Sequence, residues 1–515
     1  MKERRIVSLL AALLLTCGLW LRVFADDTQP LSREQQLEAD LIAACRYNET
    51  LDLQEYDLTV ADFDLLFRQL YREGKLPWYI KNGYTYSHRN WQNGEYMVSF
   101  TPTLLEESFD RMRYEQAVQE LLQSCRLEGL EPWQKALVLH DRLILRCRYD
   151  LTLQKQTGYD LLISGSTICQ GYAMLYQDLL QRVGIPSEVV ISEAMNHSWN
   201  LVQLDGNWYH VDVTWDDPTP DVTGRVLHTH FLKTDEEIGN AERPHYGWET
   251  DTRCTDDRFS DAFWSGVASQ ICLPDAATCY YATVEENLVS LYCRDLSTQK
   301  ETRIYKEKDN FLDIGQRSRR YYHIGLSWVD GRLWVGMMDK LYSMAADGTD
   351  KRIELTYDAE ENRKYIRGFY MEGQLLTLQL NDHDDNVTYE TRTLSLSEET
   401  HSHSYELSTV APTCAAEGYT LAACDCGLEA KAVFVKPLPH SWQDRDSKKA
   451  TFREDGFIRR ECALCGRTEH LQQPRLELTS WLRTNWRAIV LTVAGVALFV
   501  GITMLVSACR TGKDS

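Results

Sequence analysis

Thr167-Ile168-Cys169-Gln170-Gly171-Tyr172-Ala173, then His197-Ser198-Trp199-Asn200, then Trp208-Tyr209-His210-Val211-Asp212 are the stretches that decide how this 515-residue chain is read. After Cys169, residues Ala173, Leu175, Leu179, Leu180 and Val183 recur at helical spacing, and Gly184-Ile185-Pro186 stops the helix. Cys169 therefore falls at a helix N-terminus. There the macrodipole and the free N–H groups favour a thiolate, and a lowered thiol pKa is what a cysteine nucleophile needs. Residues 188–192 read as a strand. Residues 197–204 and 207–212 flank Asp205-Gly206, a strong hairpin signal. If Asp205-Gly206 is a two-residue turn, Leu204 faces Asn207 and Trp199 faces Asp212. His197 then shares a face with Asp212, diagonally about 7–8 Å away. A one-residue slip would part them.

These residues resemble the transglutaminase-like superfamily, whose fold is related to papain-like proteases. The resemblance rests on Ile168-Cys169-Gln170-Gly171-Tyr172-Ala173, Asn196-His197-Ser198-Trp199-Asn200, and the run from Trp208 through Val213-Thr214-Trp215-Asp216-Asp217-Pro218. Flanking His140-Asp141, Tyr149-Asp150 and His230-Phe231-Leu232-Lys233-Thr234-Asp235-Glu236-Glu237 are similar to the bacterial exported branch. The resemblance covers about 120 residues, where each part alone is weak and the ordered combination is specific. It implies nucleophilic acyl transfer: Cys169 attacks a carboxamide or peptide carbonyl, His197 moves the proton, and Asp212 fixes the imidazole tautomer. The Cys169 N–H is the natural oxyanion donor. Gln170 and Tyr172 are nearby candidates for the second donor, and Trp199 lies in the same vicinity. His210, Trp215, Asp216 and Asp217 read as scaffold or rim. No carboxylate series follows Asp217 or Asp221, so no calcium loop is expected, and catalysis implies no cofactor.

Working outward, residues 131–252 hold this domain, opened by an amphipathic segment in which Ala136, Leu139, Leu143 and Ile144 share a face. Upstream, residues 26–130 read as a small α+β module. It comprises a helical stretch over 32–73, strands over 78–101 with Asn93-Gly94 as hairpin turn, and a helix over 104–127. Downstream, residues 253–398 are a β-rich module. Segments 279–294, 325–344 and 366–380 share one shape, aromatic and β-branched strands around a polar turn, spaced by about 45 residues as in propeller blades. Three such units are too few for a usual closed propeller.

Residues 399–472 carry a double Cys/His repeat. The first copy has His403-Ser404-Tyr405, Gly418-Tyr419 and Cys424-Asp425-Cys426-Gly427; the second has His440-Ser441-Trp442, Gly456-Phe457 and Cys462-Ala463-Leu464-Cys465-Gly466. Paired thiols before Gly, with Cys414 and spaced histidines, resemble zinc-ribbon knuckles. One expected ligand set is Cys414, Cys424, Cys426 and His440; another is Cys462 and Cys465 with His440 or His470. Disulfides or free thiols are the rival accounts. The chain has 15 cysteines; Cys45, Cys125 and Cys147, or Cys254, Cys272, Cys279 and Cys293, are disulfide candidates in an exported protein or else buried thiols.

The ends carry the location. Lys2, Arg4 and Arg5, the apolar run 6–20 and Val23-Phe24-Ala25 read as a signal peptide over 1–25. Residues 488–508 lack charge and, as a helix, cover a bilayer's roughly 30 Å hydrocarbon core. A linker, 473–487, precedes them and a tail, 509–515, follows on the cytoplasmic side. The expected fold class is thus a multidomain α+β chain: a transglutaminase-like core, a β-repeat module, a Cys/His module and one C-terminal transmembrane helix, with the bulk extracellular. A net charge of −21 argues against nucleic acid as partner, since phosphate binding needs a basic patch. A protein or peptide substrate is expected, cell-wall peptide among the options. The alternative is a non-catalytic adhesin or scaffold that binds through the β-repeat and Cys/His modules.

Overall fold

The computed structural model describes residues 31–475, apart from 92–93, 106–107, 249, 287, 309–310, 315–316, 321–322, 338, 357–363, 383–388 and 396–402. The expected signal segment, membrane helix and tail lie outside the described residues. Among the described residues no helix is long and apolar enough to cross a membrane. The described residues fall into two compact units, 31–408 with 420–433, and 409–419 with 434–475.

The first unit begins with α1 (Arg33–Tyr47), started by a Ser32/Gln35 capping box and ended by Asn48 in the left-handed conformation. After β1 (Leu51–Asp52), α2 (Val60–Arg72) starts at the Thr59 cap. The helical stretch expected over 32–73 is therefore two helices, because Asn48 closes the first with its N–H on the Ala44 carbonyl. In the hairpin of β2 (Ile80–Trp91) and β3 (Gly94–Leu104), Trp91 pairs with Gly94. Gly94 thus belongs to the second strand and not, as expected, to the turn. Next comes α3 (Ser108–Ser124).

The central part opens with α4 (Pro132–Arg146), whose proline takes the first helical position where no N–H is needed. Strand β4 (Arg148–Tyr149) pairs in parallel with β5 (Ser166–Thr167) across α5 (Gly158–Ser164). Helix α6 (Cys169–Arg182) follows directly. It packs on an antiparallel sheet of β6 (Ser187–Ser192), β7 (His197–Leu204), β8 (Asn207–Val211) and β9 (Phe231–Lys233), in that order. Between β8 and β9 lies the short α7 (Val213–Asp216), and α8 (Asp235–Gly239) follows β9. Leu175, Tyr176, Leu179 and Leu180 of α6 share a core with Leu139 and Leu143 of α4 and with Val202 and Tyr209 of the sheet. Each such fully buried aliphatic contributes about 1.5–3 kcal/mol. The other face of β7 is covered too, with Trp199 and Leu201 packed on Ile238 and Cys254. Strand β7 is therefore buried on both sides.

The β-rich module forms separate antiparallel sheets. The first holds β10 (Thr278–Glu285), β11 (Leu288–Asp295) and β12 (Glu301–Glu307). After the pair β13 (Phe311–Ile314) and β14 (Arg317–Arg320) come β15 (Leu326–Val329), β16 (Arg332–Gly336), β17 (Lys340–Ala345) and β18 (Arg352–Thr356). The last sheet is β19 (Lys364–Glu372), β20 (Leu375–Asp382) and β21 (Tyr389–Ser395). Segments 279–294 and 366–380 fall on the leading hairpins of their sheets, and 325–344 spans β15, β16 and most of β17. The module is not an independent bead: Ile271, Cys279 and Tyr281 join the core of α4 and α6, so apolar packing runs across residue 252. Arg142 and Arg146 of α4 reach Tyr370 and Glu372 of β19. Gly224, at φ +83°, meets the Phe369 carbonyl so closely that a Cβ would lie 1.8 Å from its oxygen.

The repeat continues the β pattern with β22 (Tyr405–Val410), β23 (Gly418–Cys424) and β24 (Glu429–Val435), then β25 (Trp442–Lys448), β26 (Gly456–Cys462) and β27 (Thr468–Gln473). The last three form an antiparallel sheet in the second unit. The described cysteines are all free thiols, with Cys45, Cys125, Cys147, Cys254, Cys272 and Cys279 buried.

Candidate active site

Cys169 is the first residue of α6, behind an extended Ile168, and is half-buried. The turn that places it is tight. A Cβ on Gly171 would lie 2.0 Å from Thr167 Oγ1 and 2.8 Å from the Thr157 carbonyl oxygen, so only glycine lets the first helical turn sit against the preceding loop. The N–H groups of Gly171 and Tyr172 are spent on the Ile168 carbonyl. Those of Cys169 and Gln170, at the helix start, have no intrahelical carbonyl to reach.

His197 opens β7, and Asp212 follows β8. The hairpin pairs Leu204 with Asn207 through to Asn200 with Val211, the register that a two-residue Asp205-Gly206 turn requires. His197 Nε2 lies 2.7 Å from Asp212 Oδ2. That leaves Nδ1 as the nitrogen free to serve a thiol. The imidazole is stacked between the rings of Trp199 (5.7 Å, 21°) and Trp215 (5.2 Å, 24°), which fix its plane.

Asp212 is fully buried and fully engaged. Its Oδ1 accepts from the backbone N–H groups of Thr214 (3.0 Å) and Trp215 (3.1 Å), capping α7. Its Oδ2 accepts from His197 and from His245 Nε2 at 2.8 Å. Burial works against the charged carboxylate, but the two histidines outweigh it and hold Asp212 well below the usual carboxylate range. Burial likewise disfavours a charged His197, yet the Asp212 carboxylate dominates and lifts it to about 10. Burial raises the Cys169 thiol, and the hydrogen bond and charge of His197 overcome this and bring it below its ordinary value. Both shifts run in the direction of a thiolate–imidazolium pair, and the two groups titrate as one coupled pair.

His245 has no sequence signal: it stands in a loop without periodicity, and only the fold brings it to Asp212. A second buried network lies beneath. Asp141 Oδ1 binds His140 Nδ1 and His228 Nε2, both at 2.9 Å, while Asp216 binds His230 Nδ1 (3.1 Å) and lies 3.3 Å from His140 Nε2. Asp216 also accepts from the His230 N–H at 3.0 Å, pinning β9 to α7. His140-Asp141 and Asp216 thus act as the brace beneath Asp212, and His228, which carried no signal, is part of it.

The residues expected near the oxyanion are committed elsewhere. The Gln170 amide donates to the Tyr71 hydroxyl of α2 at 3.3 Å. Tyr172 is buried and donates to Asp217, whose carboxyl is raised by burial despite that bond. Trp199 is buried and donates its indole N–H to His210 Nδ1 at 2.9 Å. An indole N–H can only donate, so His210 Nδ1 carries no proton, and its Nε2–H is the donor to Asp235 at 2.9 Å. A cleft of about 560 Å³ opens beside His197, with Tyr149, Trp215, Asp217, Arg225 and Arg243 on its walls.

The Cys/His residues regroup. Cys414, His440, Cys462 and Cys465 place their donor atoms within 4.8 Å of one another, as do His403, Cys424 and Cys426. The expected set of Cys414, Cys424, Cys426 and His440 is not formed, because each paired-cysteine turn meets the histidine that opens its own copy: Cys426 Sγ lies 3.4 Å from His403 Nδ1, and Cys465 Sγ 3.4 Å from His440 Nδ1. His470 is not a ligand in either group; its ring stacks on Phe457.

Residues 119–213 match the sequence profile of the transglutaminase-like superfamily. The chain carries a transglutaminase-like domain. The matched span runs from α3 to the start of α7 and contains Cys169, His197 and Asp212. No curated protein matches the chain. Among solved structures, a conserved lipoprotein from Clostridium novyi NT is 17% identical, covers 25% of this chain and 88% of its own, and has a TM-score of 0.19. A protein from Lactobacillus plantarum is 11% identical over 40% of this chain and 71% of its own, at TM-score 0.14. At such TM-scores these likenesses carry no weight for the transglutaminase-like domain or its neighbours.

Proposed function

We propose that the chain is a surface-anchored cysteine enzyme that transfers acyl groups through a thioester on Cys169, hydrolysing peptide or amide bonds in preference to cross-linking. The observation that carries this reading is the 2.7 Å bond of His197 Nε2 to the buried Asp212, which leaves Nδ1 for a thiol held at a helix start. The Cys169 thiolate sulfur bonds to the carbonyl carbon, and the oxyanion takes the Cys169 and Gln170 N–H groups. His197 gives the proton from Nδ1 to the leaving nitrogen as the C–N bond breaks. Water then attacks the thioester, His197 takes its proton, and the C–S bond breaks to release the acid and restore the thiolate. Asp212 keeps its charge throughout and steadies the imidazolium. Hydrolysis prevails where the acyl-enzyme stays within reach of water, and a cleft of about 560 Å³ lies beside the general base His197.

The substrate is a protein or peptide, with cell-wall peptide favoured by the expected location: bulk outside, held by the helix at 488–508. The test is competitive alkylation with iodoacetamide near neutral pH, followed by peptide mapping. Cys169 should label ahead of the exposed Cys426 and Cys465, and Cys169→Ala should abolish peptidase and amine-incorporation activity together. Equal labelling of all three thiols would overturn the proposal.

A further inference from the structure

We infer that Cys414, His440, Cys462 and Cys465 form a structural zinc site that ties the first copy of the repeat to the second. All four belong to the second compact unit. In a tetrahedral site with Zn–S near 2.3 Å and Zn–N near 2.0–2.1 Å, sulfur atoms lie about 3.8 Å apart and sulfur and nitrogen about 3.5 Å apart. Cys414 Sγ lies 3.8 Å from Cys462 Sγ, and Cys465 Sγ lies 3.4 Å from His440 Nδ1. These two separations match edges of a zinc tetrahedron, and all four donor atoms lie within 4.8 Å of one another. A disulfide would instead need sulfurs about 2.05 Å apart.

The backbone is built to bring the four together. Cys462 accepts from the Gly466 N–H at 2.9 Å, and Gly466 takes φ +73°, giving the tight Cys-X2-Cys turn. The Ala463 N–H donates to the Ser441 carbonyl at 2.8 Å, which fastens that turn beside His440. The Leu438 N–H donates to the Thr413 carbonyl at 2.9 Å, which carries Cys414 to the same place. Cys414 comes from the first copy, where the second has Thr451, so one ion joins residues that sequence alignment of the copies separates.

Among its described residues the unit has almost no apolar core: the only buried hydrophobic-class side chains there are Cys414 and Cys462. Strand β25 is exposed along nearly its whole length and β27 alternates exposed and half-buried. A three-stranded sheet without a core is not stable alone, and small modules of this kind take a metal or disulfides. The three donors His403, Cys424 and Cys426 repeat the 3.4 Å Cys–His contact but supply one ligand fewer.

The experiment is metal analysis of the purified full chain, prepared with zinc and dialysed against a weak chelator, beside Cys414→Ser and Cys465→Ser, with Cys45→Ser as control. Each ligand variant should lose one zinc equivalent relative to the parent, while the control loses none. Cobalt replacing zinc should give the visible bands of a tetrahedral thiolate site, and these should vanish in Cys414→Ser. Cys169 alkylation should keep its rate in all variants, which separates loss of metal from misfolding and from failure of the catalytic reading. A parent that holds no zinc, ligand variants that hold as much zinc as the Cys45→Ser control, or a Cys414–Cys462 disulfide in non-reducing peptide maps would overturn the inference.

Discussion

Asp212→Asn separates the charge of this side chain from its capping role. Oδ1 can go on accepting from Thr214 and Trp215, and Asn is as good an N-cap as Asp, so the fold should survive. The amide nitrogen then faces two Nε2–H donors, those of His197 and His245, where Oδ2 accepted from both. Two charge-assisted bonds are lost and the imidazole is driven to the wrong tautomer. Without the carboxylate His197 falls from about 10 toward its ordinary 6.5, at most about 5 kcal/mol of imidazolium stabilisation. The sign follows directly. A lifted histidine is charged through neutrality and loses its proton near 10; an ordinary one is mostly neutral at pH 7. The Cys169 thiol, deprived of the cation, returns to 9.0 or above. At pH 7 a thiol of ordinary pKa is only about one part in a hundred thiolate. Iodoacetamide labelling of Cys169 should slow at pH 7, with its midpoint moved upward toward that of an ordinary thiol. Turnover should fall further, by about 10³–10⁴, because the tautomer is lost as well. This assay needs no knowledge of the substrate. A variant whose labelling profile against pH overlays that of the parent would refute the ion pair and the reasoning built on it.

His245→Gln removes one donor from Asp212 while leaving His197 in place. Turnover should drop about tenfold or more, in line with about 1.5–3 kcal/mol for one hydrogen bond to a charge, and the labelling midpoint of Cys169 should move by less than in Asp212→Asn; a larger move would mean that His245 is itself the base. Gly171→Ala forces a Cβ to 2.0 Å from Thr167 Oγ1, which should cost about 1–3 kcal/mol as overpacking. The melting temperature should fall and Cys169 labelling should slow together; an unchanged melting temperature would show that the turn yields without strain.

Much of the site was legible before folding was considered. Apolar spacing after Cys169 and the stop at Gly184-Ile185-Pro186 give the helix its start, and Asp205-Gly206 fixes the hairpin register, because both rest on periodicity and on local turn chemistry within a few residues. Local rules misled where the chain had a left-handed option, as at Asn48, or where a turn was offset by one residue, as at Gly94.

What only the tertiary structure decided is which distant groups meet. His245 and His228 stand in loops without pattern, yet one supplies the second donor to Asp212 and the other braces Asp141. The commitment of Tyr172 to Asp217 and of Trp199 to His210 likewise depends on packing between elements far apart in the chain. The Cys/His repeat makes the same point: the spacing suggests Cys414 with Cys424, Cys426 and His440, but the fold groups Cys414 with His440, Cys462 and Cys465. Sequence fixes dihedrals and faces over a turn or a hairpin, while burial of polar groups forces pairings across the fold, since a buried donor or charge without a partner costs more than the chain can offset.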